Sequence, residues 1–267
     1  RLSNHWYESM RRPPLKVDGV RAIYINSMLR GMAYAVSGIF LPLYVYNWGV
    51  GIGGIRYGLG VTFLMVIVER IILGLATVSF GKLVASMGFK WSVFTSSVLL
   101  AIYFYLAANA PLNISTLIVL TILSASFIPL YWLPRLSIMS EDGKSDKIGG
   151  EAGTLQLLER VSSILGPILG GVILGLFGFK YLFILSMILI ILSSLPLLFI
   201  KNYSIDDGIS WSGFCGWSKD RKNRHLLYSF VGQGWADLSE IVWPIFFFVA
   251  IGSFALLGGV SSMALAV

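Results

Sequence analysis

Charge is what this sequence has least of. Asp, Glu, Lys and Arg make up 12% of its 267 residues, against about 25% in a typical soluble domain. A soluble fold of this length needs a solvated face, and too few polar side chains are present to cover one. Cysteine is nearly absent. Cys215 stands alone, which excludes an intramolecular disulfide and any multi-cysteine metal site. The only histidines, His5 and His225, fall in polar stretches without metal-ligand spacing. No metal or other cofactor is expected. No nucleophile, acid and base can be assembled, so no enzyme activity is expected either. The polar first twenty residues do not read as a cleavable signal peptide.

Long apolar runs fill the space that charge leaves. Hydrophobic residues reach 56% and the mean hydropathy is +0.79. The runs are unbroken rather than alternating, which fits helical spans of about 20 residues and not the strands of a membrane barrel. Backbone groups in lipid must bond within their own segment. The expected class is an all-α integral membrane protein with about seven to eight spans.

The spans are expected at about 25–47, 57–79, 91–109, 114–139, 153–178, 181–200 and 226–249, with an eighth starting near Leu256. Residues 1–24 form a polar, basic N-terminal segment. Residues 25–200 then read as a six-helix bundle, 201–224 as a polar linker, and 225–267 as the start of a second bundle. The chain starts at Arg1 rather than Met and ends inside an apolar run. It is expected to be part of a longer protein.

The net charge of +7 has an orienting pattern. Fifteen basic residues fall on one side of the spans, among them Arg11, Arg12, Arg21, Lys82, Lys90, Arg135, Lys201 and Lys222, and two, Arg56 and Lys180, on the other. This places the N-terminus in the cytoplasm. The basic charge therefore reads as membrane orientation, not as a nucleic-acid surface. A shift of 202 residues lays the seventh span on the first, with Ser27, Ser37, Ile39 and Pro42 matching Ser229, Ser239, Ile241 and Pro244. A parallel two-half transporter would restart at this point.

Two motifs carry a resemblance. The loop after the second span reads GKLVASMGFK, with Gly81, Gly88 and Lys90 at the fixed positions of G-x-x-x-D-R/K-x-G-x-R/K. Ala85 and Ser86 replace the acidic and basic pair. The fifth span carries Gly153, Gly166, Pro167, Gly170 and Gly171 of G-x8-G-x3-G-P-x2-G-G, with Ser162 in place of the second glycine. In these features the chain resembles the major facilitator superfamily. The resemblance implies a twelve-helix transporter working by alternating access. The glycine–proline signature implies an exporter that exchanges substrate for protons. The departures at Ala85 and Ser86 remove the charge relay that the family has in that loop.

Ionisable residues inside spans are costly, so they mark candidate sites. These are Arg30 in the first span, Glu69 and Arg70 in the second, Glu159 and Arg160 in the fifth, and Asp237 and Glu240 in the seventh. Adjacent helical residues point about 100° apart. One member of Glu69–Arg70, and of Glu159–Arg160, is therefore expected to face a cavity and the other a neighbouring helix. Interhelical ion pairing is the structural alternative for each. Asp237 and Glu240 share a helix face without a basic residue in their span, which suits proton coupling or a cationic substrate. Tyr131, Trp132 and Trp235 are expected to line a cavity for an apolar or cationic compound, with core packing as the alternative. Gly166, Pro167, Gly170 and Gly171 are expected to allow close helix approach and a kink.

Other patterns carry no chemistry. Gly49-x-Gly51-x-x-Gly54 lacks the preceding strand of a nucleotide site. Asn113-Ile114-Ser115 matches a glycosylation site by pattern alone. The expected function is secondary transport of a small solute, with protons as a possible partner, in a prokaryotic plasma membrane and as a monomer. A non-transporting receptor or scaffold is the second reading. An intramembrane lipid-modifying enzyme is the third, and it would need a polar cluster at one membrane surface that the sequence lacks.

Overall fold

A computed structural model describes residues 17–141, 148–202 and 211–266. Every regular element among them is helical: α1 (Val17–Ser37), α2 (Phe40–Asn109), α3 (Ile114–Glu141), α4 (Ile148–Phe177), α5 (Phe179–Ser194), α6 (Trp211–Lys219), α7 (Arg224–Ile251) and α8 (Phe254–Ala266). Short 3-10 turns follow α5 and α6. Four stretches are long and apolar enough to cross a membrane: Arg21–Asn109, Ile114–Arg135, Gly153–Phe177 and Phe179–Phe199. Ile241–Ile251 and Phe254–Leu265 are shorter apolar helices. The protein is an all-helical membrane protein.

The first stretch contains three of the expected spans, divided by glycine. Gly53 and Gly54 leave the helical region, as does Gly88, so α2 consists of arms 40–52, 55–87 and 89–109. Gly54 has φ +77° and Gly88 has φ +73° with ψ near 180°, a conformation open essentially to glycine alone. The chain folds back at the first break. A methyl on Gly49 would lie 2.6 Å from Cα of Gly58, whereas nine residues of straight helix span about 13 Å. The expected first span at 25–47 has a local irregularity at Gly38–Ile39 between α1 and α2, where the Gly38 N–H still bonds to the Tyr34 carbonyl and Ile39 keeps helical φ/ψ.

The turns gather at two ends. At one end Ala22, Val84, Phe89, Leu130, Leu197 and Ile200 form an apolar cluster. There the Lys90 ammonium donates to the Leu198 carbonyl at 2.7 Å, and the Asn202 amide donates to the Met87 carbonyl at 2.8 Å. The Gly88 turn is thus tied to the segment that leaves α5. At the other end Tyr44, Phe179, Phe183 and Phe254 stack beside the Gly178 and Gly252 turns. Arg21, Lys82, Lys90 and Lys201 lie toward the first end, and Arg56 and Lys180 toward the second.

Helix α1 sits against both α4 and α5, α2 against α3 and α5, and α4 against α8. The main core joins Ala33, Val36, Phe40, Leu43, Leu100, Phe104, Leu120, Phe183 and Leu257, all buried. The outer faces carry exposed Leu64, Ile71, Ile122, Leu169, Leu176 and Ile191. In water this would be a large apolar patch, but next to lipid it is an ordinary helix surface.

Candidate functional site

A run of polar contacts passes through the apolar interior and links four helices. It begins at Arg30 on α1, of which 1% is exposed. Its guanidinium donates to Ser96 Oγ at 2.8 Å and Ser97 Oγ at 3.2 Å, both on the third arm of α2. Ser96 passes the polarity on, donating to the Phe127 carbonyl of α3 at 2.7 Å. The guanidinium also lies 4.0 Å from the centre of the Tyr131 ring and 5.7 Å from that of Tyr34. Neutral hydroxyls and π faces therefore satisfy this cation, since no carboxylate pairs with it among the described residues. Its Nε has no protein partner there.

The run continues from the phenol of Tyr131. Its hydroxyl accepts a hydrogen bond from Arg135 Nη1 at 2.9 Å, one helical turn further along α3. Arg135 pairs with the Glu159 carboxylate of α4, and its guanidinium lies 5.2 Å from the Trp132 ring centre. Charge-assisted pairs of this kind are short and directional. Glu159 packs near Gly31 of α1.

Glu69 forms a second polar point. It is half-buried on the second arm of α2. Ser124 of α3, near its carboxyl, donates its hydroxyl proton to the Thr121 carbonyl at 3.0 Å. Arg70 is exposed beside it and has interactions of its own. Adjacent residues thus diverge, with Glu69 turned inward and Arg70 outward. Glu159 and Arg160 diverge in the same way, and Arg160 is exposed.

For Glu159 the interhelical pairing given above as the structural alternative is what forms. Glu159 bonds not within its own helix but to Arg135, counted above among the loop charges. That residue is buried at the end of α3, with 8% of its surface exposed. Tyr131 is buried, whereas Trp132 is 46% exposed and its ring lies against the Arg135 guanidinium. Trp235, Asp237 and Glu240 fall on α7, and their side chains lie outside the described residues. Arg135, Ser96, Ser97, Ser124 and Tyr34 were not singled out from the sequence. Arg135 was counted with the orienting loop charges although it falls inside the expected 114–139 span, and buried serines leave no periodic signal.

The glycine–proline stretch lies in a three-helix contact. A methyl on Gly166 would lie 2.6 Å from the Ala35 carbonyl carbon and closer still to its side chain. Gly170 faces Val36 and Phe40 of α1 in the same way. On the other side, a methyl on Gly171 would lie 2.6 Å from the Phe254 carbonyl oxygen, and Gly258 of α8 abuts the Pro167 carbonyl. Ser162, in the position of the missing glycine, donates to the Met28 or Leu158 carbonyl. Helix α4 stays helical through Pro167. Gly175, one turn beyond Gly171, faces open space. Gly81 is half-buried within α2.

No protein-family model matches the chain. Its sequence is similar to the multi-drug resistance efflux pump PmrA of Streptococcus pneumoniae, with 28% identity over 189 residues, 69% of this chain and 45% of that protein. The PmrA homolog of Lactococcus lactis is 27% identical over 184 residues, 68% of this chain and 44% of that protein. The matches thus span less than half the length of these relatives.

Proposed function

We propose that this protein is a secondary active transporter of the major facilitator type, in a bacterial plasma membrane with its N-terminus in the cytoplasm. It exports a small amphipathic or cationic compound by alternating access, in exchange for protons, and works as a monomer. Residues 25–200 form the first six-helix bundle in this reading, and 225–267 open the second. The observation that carries it is the polar run from Arg30 through Tyr131 and Arg135 to Glu159. Burying such groups between apolar helices is costly, and intramembrane charges that face the bundle interior are the usual marks of a substrate or ion pathway. The similarity to proteins named as multidrug efflux pumps supports the same reading.

Chemistry divides the roles. Glu69, Asp237 and Glu240 are the candidate proton carriers, because a carboxyl can gain and lose a proton inside a membrane while arginine stays charged. Arg30 and Arg135 hold the helices in register around them. Gly166, Pro167, Gly170 and Gly171 let α4 move against α1 and α8 with little side-chain bulk between the helices.

Inverted membrane vesicles containing the protein test this reading. Under an imposed proton gradient they should accumulate a fluorescent lipophilic cation, and collapse of the gradient should release it. Accumulation no greater than in control vesicles would remove transport of this class of substrate. Accumulation that persists unchanged in Glu69→Gln, Asp237→Asn and Glu240→Gln would remove proton coupling through these residues.

A further inference from the structure

Helix α6 has no role in the transport reading. It is a nine-residue helix, WSGFCGWSK, in the linker after α5. Trp211, Phe214 and Trp217 recur every three residues and so share a face. Their rings contact in sequence, with centroids 6.0 and 6.3 Å apart. Trp211 is exposed, while Phe214 and Trp217 are half-buried. Immediately after this ridge come Lys219, Asp220, Arg221 and Lys222, all exposed, with a net charge of +2.

The contact made by Trp211 sets the depth of the helix. Its indole N–H points to Ser79 Oγ at 3.4 Å. Ser79 lies on the second arm of α2, in an exposed stripe four residues apart with Ile67, Ile71, Leu75 and Leu83. This stripe is apolar except at Ser79; Lys82 follows three residues later and the Gly88 turn nine residues later. Trp211 therefore sits where the apolar surface of α2 gives way to charge. That is the level of the lipid headgroups, where tryptophan is favoured. An aromatic face beside exposed basic residues is the pattern of a helix lying in the membrane plane.

We propose that α6 docks in the bilayer interface and that Lys219, Arg221 and Lys222 bind anionic phospholipid headgroups. The ridge supplies apolar burial and the basic cluster supplies the selectivity for lipid charge. Each net positive charge at an anionic surface favours docking about fivefold, so the net charge of this cluster favours it about 25-fold. This inference requires only that the chain spans a bilayer and is independent of what it transports.

Cys215 is the only cysteine and is exposed on α6. Bimane attached to it in the purified protein reports its surroundings after reconstitution into phosphatidylcholine vesicles with or without phosphatidylglycerol. Phosphatidylglycerol should raise quenching by headgroup-level nitroxide lipid and lower quenching by aqueous iodide. K219Q/R221Q/K222Q should abolish that lipid dependence. W211S should raise iodide access in both lipids. Iodide access that is the same in both lipids, and unmoved by the triple variant, would overturn the proposal. So would equal protection from iodide in detergent without phospholipid, because protein contact would then be what covers the ridge.

Discussion

Two glycines in one helix, Gly166 and Gly175, differ in what surrounds them, and alanine at each isolates the effect of packing. Both positions gain the same intrinsic helix preference on replacement, about 1 kcal/mol, so this term cancels in the comparison. At Gly175 the new methyl meets nothing within 4 Å. At Gly166 it would lie 2.6 Å from the Ala35 carbonyl carbon, where carbon atoms prefer about 3.5–4.0 Å. Helices α1 and α4 must then part by roughly 1 Å. Overpacking of this kind costs about 1–3 kcal/mol. Gly166→Ala should therefore be less stable than Gly175→Ala by that amount, a difference of about 2–12 °C in Tm for a chain of this size. Thermal unfolding of the purified protein in detergent, followed by tryptophan emission, reads it directly. Adding Ala35→Gly to Gly166→Ala should recover only part of the loss, because the backbone carbonyl remains in the way. Equal Tm values for the two single variants would refute the contact between α1 and α4 at this point.

Two further perturbations probe the turn and the ion pair. Gly88→Ala forces a side chain into a glycine-only conformation and should cost about 1–3 kcal/mol, whereas Gly74→Ala, in open space on the same helix, should cost nothing in the same unfolding assay. Removing either partner of Arg135–Glu159 should cost about 1–3 kcal/mol, below the range for a fully buried pair because 29% of the Glu159 side chain is exposed. The double variant Arg135→Met/Glu159→Met should recover much of that loss. A coupling under about 0.5 kcal/mol in the double-mutant cycle would show that the two side chains act independently.

The spans between 57 and 200 were legible as apolar runs, because in lipid a long apolar segment has few options other than helix. Their breaks were legible only in part. Gly88 stood out as a motif position, but the sequence does not show that the helix turns at its positive φ rather than at Gly81. The local irregularity at Gly38–Ile39 in the first span was not legible, since a single glycine inside an apolar run does not distinguish a packed helix from a distorted one. Glu69–Arg70 and Glu159–Arg160 diverge as the 100° step of the helix requires, with Arg70 and Arg160 exposed.

The sequence by itself determined the solvent, the helical class and the positions where backbones can come close. Its scarcity of charge and its apolar runs leave lipid as the medium, and its glycines mark the places without bulk. Only the tertiary structure decided which groups meet. Gly166 and Gly175 look alike in the sequence, yet one abuts Ala35 and the other abuts nothing. Glu159 adjoins Arg160 along the chain but bonds to Arg135, 24 residues away. A helical period fixes the face on which a side chain lies. The neighbour across that face depends on how the helices are arranged, and that arrangement is a property of the whole bundle.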